Sequence, residues 1–227
     1  MLLMAIQWNA VGQTYSIRNL NLEDDIASWF NSQFDSANIK PLIGPFPNVS
    51  PPRRTTNVYF IEDSRNWNKS TLMYDNQVYN DILMKYDIEK QLVYALNPLS
   101  LQPVTLNQKK VNWIKTSIGT FKPRVDSQGY FLIIFEGDKF SLIKESSKDL
   151  IVNSGEFKYK RYDSISLVSD DEQVPVRNAR SFVKLFPSHK REIKKFMRLR
   201  QLREIKKANK EKYLIQIAEY CDNLSDL

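Results

Sequence analysis

Between Asn57 and Arg177 the chain is broken into short runs of aromatic and β-branched residues separated by polar turns. This rhythm limits the fold more than any other feature. Val58 and Phe60 alternate with Tyr59 and Ile61. Ser70–Tyr74 and Gln77–Tyr86 flank Asp75-Asn76, a polar pair suited to a tight hairpin turn. Asp87–Lys90 turns the chain into Gln91–Leu96, and Val111–Thr116 follows with Val111 and Trp113 on one face. Tyr130–Phe135 and Lys139–Ile143 flank the turn Glu136-Gly137-Asp138. Glu156–Val168 is long and Tyr-rich, with a bend expected at Asp163-Ser164, and Gln173–Val176 follows the acidic turn Asp170-Asp171-Glu172. About ten strands at hairpin spacing predict an antiparallel meander, arranged as a sandwich or a partly open barrel. An aromatic content of 12% suits this, because large flat side chains pack across strands.

The periodicity changes after Arg177. Ser181–Phe186 reads as one or two helical turns, and Pro187-Ser188 restarts a helix through about Leu199, with Ile193, Phe196 and Met197 on one side. In the last helix Leu214, Ile217, Ala218, Cys221 and Leu224 recur at helical spacing, and Asn209 is placed to cap it. Upstream, Leu22, Ile26, Trp29 and Phe30 predict a short amphipathic helix over Asn21–Phe34, with Glu23, Asp24 and Asp25 in its first turn. The prolines of Lys40–Thr56 predict a loop. The expected class is α+β, mostly β, with a leading segment 13–56, a β-rich domain 57–177 and a basic helical segment 178–227.

Met1–Ile6 is a short apolar run, followed by Ala10-Val11-Gly12 with small residues at the two positions a signal peptidase reads. An apolar core before a small-x-small site is the signal-peptide pattern, so 1–12 reads as a signal-peptide remnant and Gln13 as the mature start. No basic residue precedes the run, so the true start is expected to lie upstream. The expected location is exported, periplasmic or envelope-associated. No apolar stretch approaches the ~20 residues a membrane-spanning helix needs.

Four pieces of the chain also carry a resemblance. They are Tyr74-Asp75-Asn76-Gln77-Val78-Tyr79, Met84-Lys85-Tyr86-Asp87-Ile88, Phe182-Val183-Lys184 ahead of a Lys-rich helix, and the closing Ala218-Glu219-Tyr220-Cys221-Asp222. In this order they resemble a group of exported proteins from Bacteroidetes-type bacteria to which no activity is assigned. The resemblance runs from about Arg65 onward. It implies export and no particular chemistry, and Cys221 stands where the group leads one to expect a second tyrosine.

Recognisable catalytic and cofactor motifs are absent from the sequence. Six scattered glycines form no phosphate-cradling loop. The one histidine, His189, lies among charges and reads as a solvated residue of a helix's first turn. Cys221 falls on the apolar face of the last helix and reads as a buried, inert thiol. The acid clusters Asp24-Asp25, Glu62-Asp63 and Asp170-Asp171-Glu172 read as a helix start, a strand end and a turn, and a carboxylate-dependent hydrolase is the third reading behind two binding functions. Tyr74, Tyr79, Tyr86, Tyr94 and Trp113 either line a carbohydrate- or peptide-binding face or divide between core and cross-strand pairs, the second being favoured. No cofactor or metal is expected.

The outlier is charge. Between Pro187 and Lys212 there are 11 Lys/Arg and 3 Glu, an excess of +8 against +7 for the whole chain, so the remainder carries −1. Lys190, Lys194 and Arg198 recur every four residues, as do Arg191 and Lys195, and like charges at that spacing oppose a helix. These five residues are the candidate anion-binding set. The leading expectation is an exported, non-enzymatic envelope protein with a binding or structural role. Its partner would be an anionic envelope component or another envelope protein. The alternative, nucleic-acid binding through the same helices, is disfavoured by export and by the scarcity of aromatics for base stacking.

Overall fold

The structure, a computed structural model, describes residues 40–42, 44–48, 55, 58, 60–62, 65–98, 100–125, 127–153, 156–169 and 172–224. The expected signal-peptide segment 1–12, the expected helix over 21–34, Asp63, Asp170 and Asp171 lie outside them. Residues 40–227 form one compact unit.

The strands are β1 (Asn68–Tyr74), β2 (Gln77–Asp87), β3 (Leu92–Leu96), β4 (Pro103–Thr105), β5 (Val111–Thr116), β6 (Gly119–Pro123), β7 (Tyr130–Glu136), β8 (Ser141–Asn153), β9 (Glu156–Ser169) and β10 (Glu172–Pro175). They form one antiparallel sheet in the order β10-β9-β8-β7-β6-β5-β1-β2-β3-β4. The expected mostly-β, α+β class is thus what is found, as two meanders joined where β5 returns to pair with β1. That return explains the curl of the sheet. β4 and β5 are four strand spacings apart, roughly 19 Å if the sheet were flat. Only 106–110 connects them, and part of that link is a single 3-10 turn, Gln108–Lys110, which shortens its reach. The sheet therefore folds over on itself. Tyr86 of β2 meets Tyr130 of β7, its Oη accepting the Tyr130 N–H at 3.0 Å. The Lys148 N–H of β8 donates to Ile88 O at 3.1 Å. Edges β4 and β10 stay apart in the strand order, so the curled sheet is open.

The tight turn after β1 follows the sequence: Asp75 (φ 54°) and Asn76 (φ 63°) both take left-handed backbone, as a two-residue hairpin of the primed type requires. Other expectations need correction. β4 and β6 had no clear signal, because one is three residues long and the other begins at a glycine and ends at a proline. Pairing runs unbroken through the expected bend at Asp163-Ser164, as Asp163↔Ser146 and Ser164↔Glu145, and Ser146 Oγ donates to Asp163 Oδ1 at 2.6 Å. In β5 the buried residues are Val111 and Ile114, not Val111 and Trp113, because the β1–β5 register shifts between Met73 and Tyr74.

The helices are α1 (Arg180–Leu185), α2 (Lys190–Phe196), α3 (Arg200–Ala208) and α4 (Lys210–Asp222). The expected helix through Leu199 is interrupted after Phe196. Ile193 and Leu202 are nine residues apart, which on one continuous helix puts them on opposite faces. The break lets both be buried. They join Phe182, Tyr213, Leu214, Ile217, Ala218 and Cys221 against Leu142 and Leu167 of the sheet and Phe140 of the β7–β8 turn, so helices and sheet share one core. A second apolar cluster, Val58, Phe60, Tyr94 and Tyr159, lies under the β2–β3 end.

Candidate functional site

Packing turns one side of α2 and α3 inward and leaves the other to solvent. Lys190, Arg191, Lys194, Lys195 and Arg198 are all exposed, as are Arg200 and Arg203 beyond them. The acids that ought to offset this charge are engaged elsewhere. Glu192 Oε2 sits 3.0 Å from His189 Nδ1. Glu204 pairs with Lys207 at 3.0 Å, and Glu211 crosses to Lys144 of β8 at 2.5 Å. Among the described residues, none of the seven cations from Lys190 to Arg203 has a carboxylate within ion-pair distance. The structure thus brings the five expected residues onto one stretch of surface and adds Arg200 and Arg203. It separates Arg198 from the helical four-residue repeat, because Arg198 lies in the turn between α2 and α3. His189 is also corrected: its side chain is 13% exposed, partly sheltered at the N-cap of α2 beside Glu192 and not freely solvated.

An apolar feature interrupts the basic surface. Leu199, between Arg198 and Arg200, is 47% exposed. It borders a shallow groove of about 360 Å³ lined by Phe196, Leu202, Ile205 and Tyr220 together with the polar Gln201, Gln216, Glu219 and Asn223. Phe196 stacks on Tyr220 with centroids 4.0 Å apart and planes 6° from parallel. The single aromatic among the basic residues is therefore already occupied by an internal partner.

The interior offers polar groups whose arrangement is that of fasteners. Asp87 is wholly buried, and it accepts from Glu89 N at 3.0 Å, Lys90 N at 2.9 Å and Tyr94 Oη at 3.0 Å. Burial raises its carboxyl above the ordinary range, and these hydrogen bonds only partly oppose that. Lys148 is also buried, its Nζ donating to Val58 O at 2.6 Å and Phe60 O at 3.0 Å. Both groups tie turns and the 58–60 segment to the sheet. Nothing in the sequence marked either one as buried, since a single acid or lysine in a strand gives no periodic signal.

A cavity of about 30 Å³ lies between β1, β2, β5, β6 and β7, with Phe121, Tyr86 and Tyr130 in its wall. Lys85 reaches it over the rings of Phe60 (4.7 Å) and Trp67 (4.6 Å). Burial lowers the Lys85 pKa. The space holds about two waters at most. The tyrosines resolve in favour of packing: Tyr74, Tyr79, Tyr86 and Tyr94 are all buried, and Trp113 is half-buried, so they form no binding face. Glu62 is spent on Asn68 Nδ2 and on Ser117 Oγ at 3.1 Å. Among the described residues no group of three His, Cys, Asp or Glu is placed to hold a metal ion. No helix of the described residues is long and apolar enough to cross a membrane. No family model, no curated protein and no solved structure matches this chain.

Proposed function

We propose that this chain is an exported, non-enzymatic binding protein of the cell envelope that engages an anionic partner through Lys190, Arg191, Lys194, Lys195 and Arg198. The observation that carries the reading is the diversion of Glu192, Glu204 and Glu211 to His189, Lys207 and Lys144. A basic helix face that is only solvated gains from neutralising pairs at helical spacing, each worth a few tenths of a kcal/mol. Here, among the described residues, no such pair reaches any of the seven cations from Lys190 to Arg203. The export half of the proposal rests on the apolar Met1–Ile6 run and the Ala10-Val11-Gly12 site. Nucleic acid is the weaker partner, because Phe196 is committed to Tyr220 and offers no free ring for base stacking.

The test is binding to anionic vesicles and to lipopolysaccharide across a salt series. Affinity should fall steeply with salt, since screening shortens to about 8 Å at physiological ionic strength. Changing Lys190, Lys194 and Arg198 together to Gln should abolish binding and leave the fold intact. A triple variant that binds like the parent means the face is merely solvated.

A further inference from the structure

We infer that the surface this face recognises is an anionic lipid bilayer, and that Leu199 is the residue that enters it. The inference rests on the proposed anion-binding role of α2 and α3 and names its partner. Leu199 occupies the N-cap of α3 with backbone φ −56° and ψ 137° and makes no side-chain cap bond. Ser, Thr, Asp and Asn favour that position because their side-chain oxygens accept a free helix N–H, and leucine does not. The chain thus places an exposed apolar residue where a polar one would serve the fold better, the kind of local mismatch that functional sites carry.

The surroundings fit a bilayer surface. The turn bearing Leu199 is fixed by Arg198 N–H to Lys195 O at 3.1 Å and Leu199 N–H to Phe196 O at 3.0 Å, so presenting the side chain costs little further order. Leu199 also borders a shallow groove in which Phe196, Leu202 and Ile205 add apolar wall beside the polar Gln216, Glu219 and Asn223. Arg198 and Arg200 flank it directly, and Lys194, Lys195 and Arg203 are exposed nearby without carboxylate partners among the described residues. An apolar tip ringed by long cationic side chains matches the bilayer interface, where acyl chains begin just beneath a plane of phosphates. Charge complementarity selects anionic lipid over a neutral partner.

The experiment uses the full chain and vesicles of phosphatidylcholine with about a third phosphatidylglycerol, with heparin as a soluble polyanion that has no acyl layer. Leu199→Ser is expected to weaken vesicle binding roughly tenfold, the effect of losing one buried leucine at an interface. Its heparin affinity should match the parent's. Leu199→Trp should bind vesicles at least as well as the parent, with an emission blue shift the parent lacks. Melting curves check that both variants fold, which the half-exposed position favours. If Leu199→Ser binds vesicles like the parent while the triple Gln variant does not, the bilayer inference fails and the anion-binding reading survives. If the triple Gln variant also binds like the parent, both fail. Binding to heparin or single-stranded DNA with none to vesicles overturns the lipid assignment alone.

Discussion

The carboxylate of Asp222, at the end of α4, accepts the backbone N–H of Lys139 in the β7–β8 turn at 2.9 Å. Its second oxygen takes the N–H of Asp138 at the same distance. The Lys139 Nζ returns the contact by donating to Leu224 O. One side chain thereby fastens the end of the helical layer to a hairpin turn more than eighty residues earlier.

Asp222→Ala should cost about 1–3 kcal/mol, because two backbone donors lose a charged acceptor. Asp222→Asn keeps one acceptor oxygen and should cost less. Gly137 adjoins the same carboxylate: a Cβ there would lie 2.4 Å from Asp222 Oδ2. Gly137→Ala should therefore destabilise the parent but be nearly neutral in the Asp222→Ala background. Thermal melts of the two single variants and the double variant measure this coupling.

Leu214 and Ile217 are 1% and 0% exposed in the core shared by sheet and helices. Leu214→Ala or Ile217→Ala should each destabilise by about 2–5 kcal/mol, the usual range for a large-to-small change in a core. Denaturant midpoints decide it. A result within noise would mean that α4 contributes nothing to the stability of the sheet.

Burial pushes the Cys221 thiol up to about 12. Only the thiolate reacts with alkylating or disulfide reagents. At pH 8 the folded chain should therefore label far more slowly than the same chain in denaturant, and the rate should follow unfolding and not thiol ionisation. Fast labelling without denaturant would contradict the burial.

Asp87 makes stability depend on pH with a definite sign. Its folded carboxyl titrates above its unfolded one, so the folded chain holds that proton more tightly. Stability is then lost as pH rises from the ordinary carboxylate range through the folded value. Burial shifts Glu89 the same way, with the Asp87 charge adding to it. Asp163 shifts oppositely: its burial is outweighed by hydrogen bonds from Ser146 and Arg161. Asp87→Asn cannot ionise, so its melting temperature relative to the parent should rise between about pH 4 and pH 7. A constant difference across that range would show that Asp87 titrates normally.

For the basic face, the outcome to expect is graded. Leu199→Ser should weaken vesicle binding roughly tenfold and keep heparin binding, whereas the Lys190, Lys194 and Arg198 triple Gln variant should lose both. Titrations at two salt concentrations separate the two classes.

Local pattern by itself determined much of this protein. Alternating aromatic and β-branched residues specified a meander, Asp75-Asn76 specified its first turn, and the spacing of Leu214, Ile217, Ala218 and Cys221 specified which side of α4 is buried. Asn209 was legible as a cap and does accept the Lys212 N–H at 2.9 Å. These are short-range properties, fixed by backbone preference and by periodic burial. The dense cations of 187–212 were legible too, as composition. Tertiary structure alone decided what the cations face. Glu192 and Glu204 are taken up locally, by His189 and Lys207 one helical turn away, but only the fold brings Glu211 to Lys144 of β8. Lys144 is sixty-seven residues from Glu211 in sequence. The break after Phe196, which exposes Leu199, arises because Ile193 and Leu202 must both reach one core. The curl that buries Asp87 and Lys148 likewise comes from the return of β5 to β1. The Glu211–Lys144 pair, the break and the curl are set by contacts between residues distant in the chain, and such contacts leave no periodic trace in the sequence that makes them.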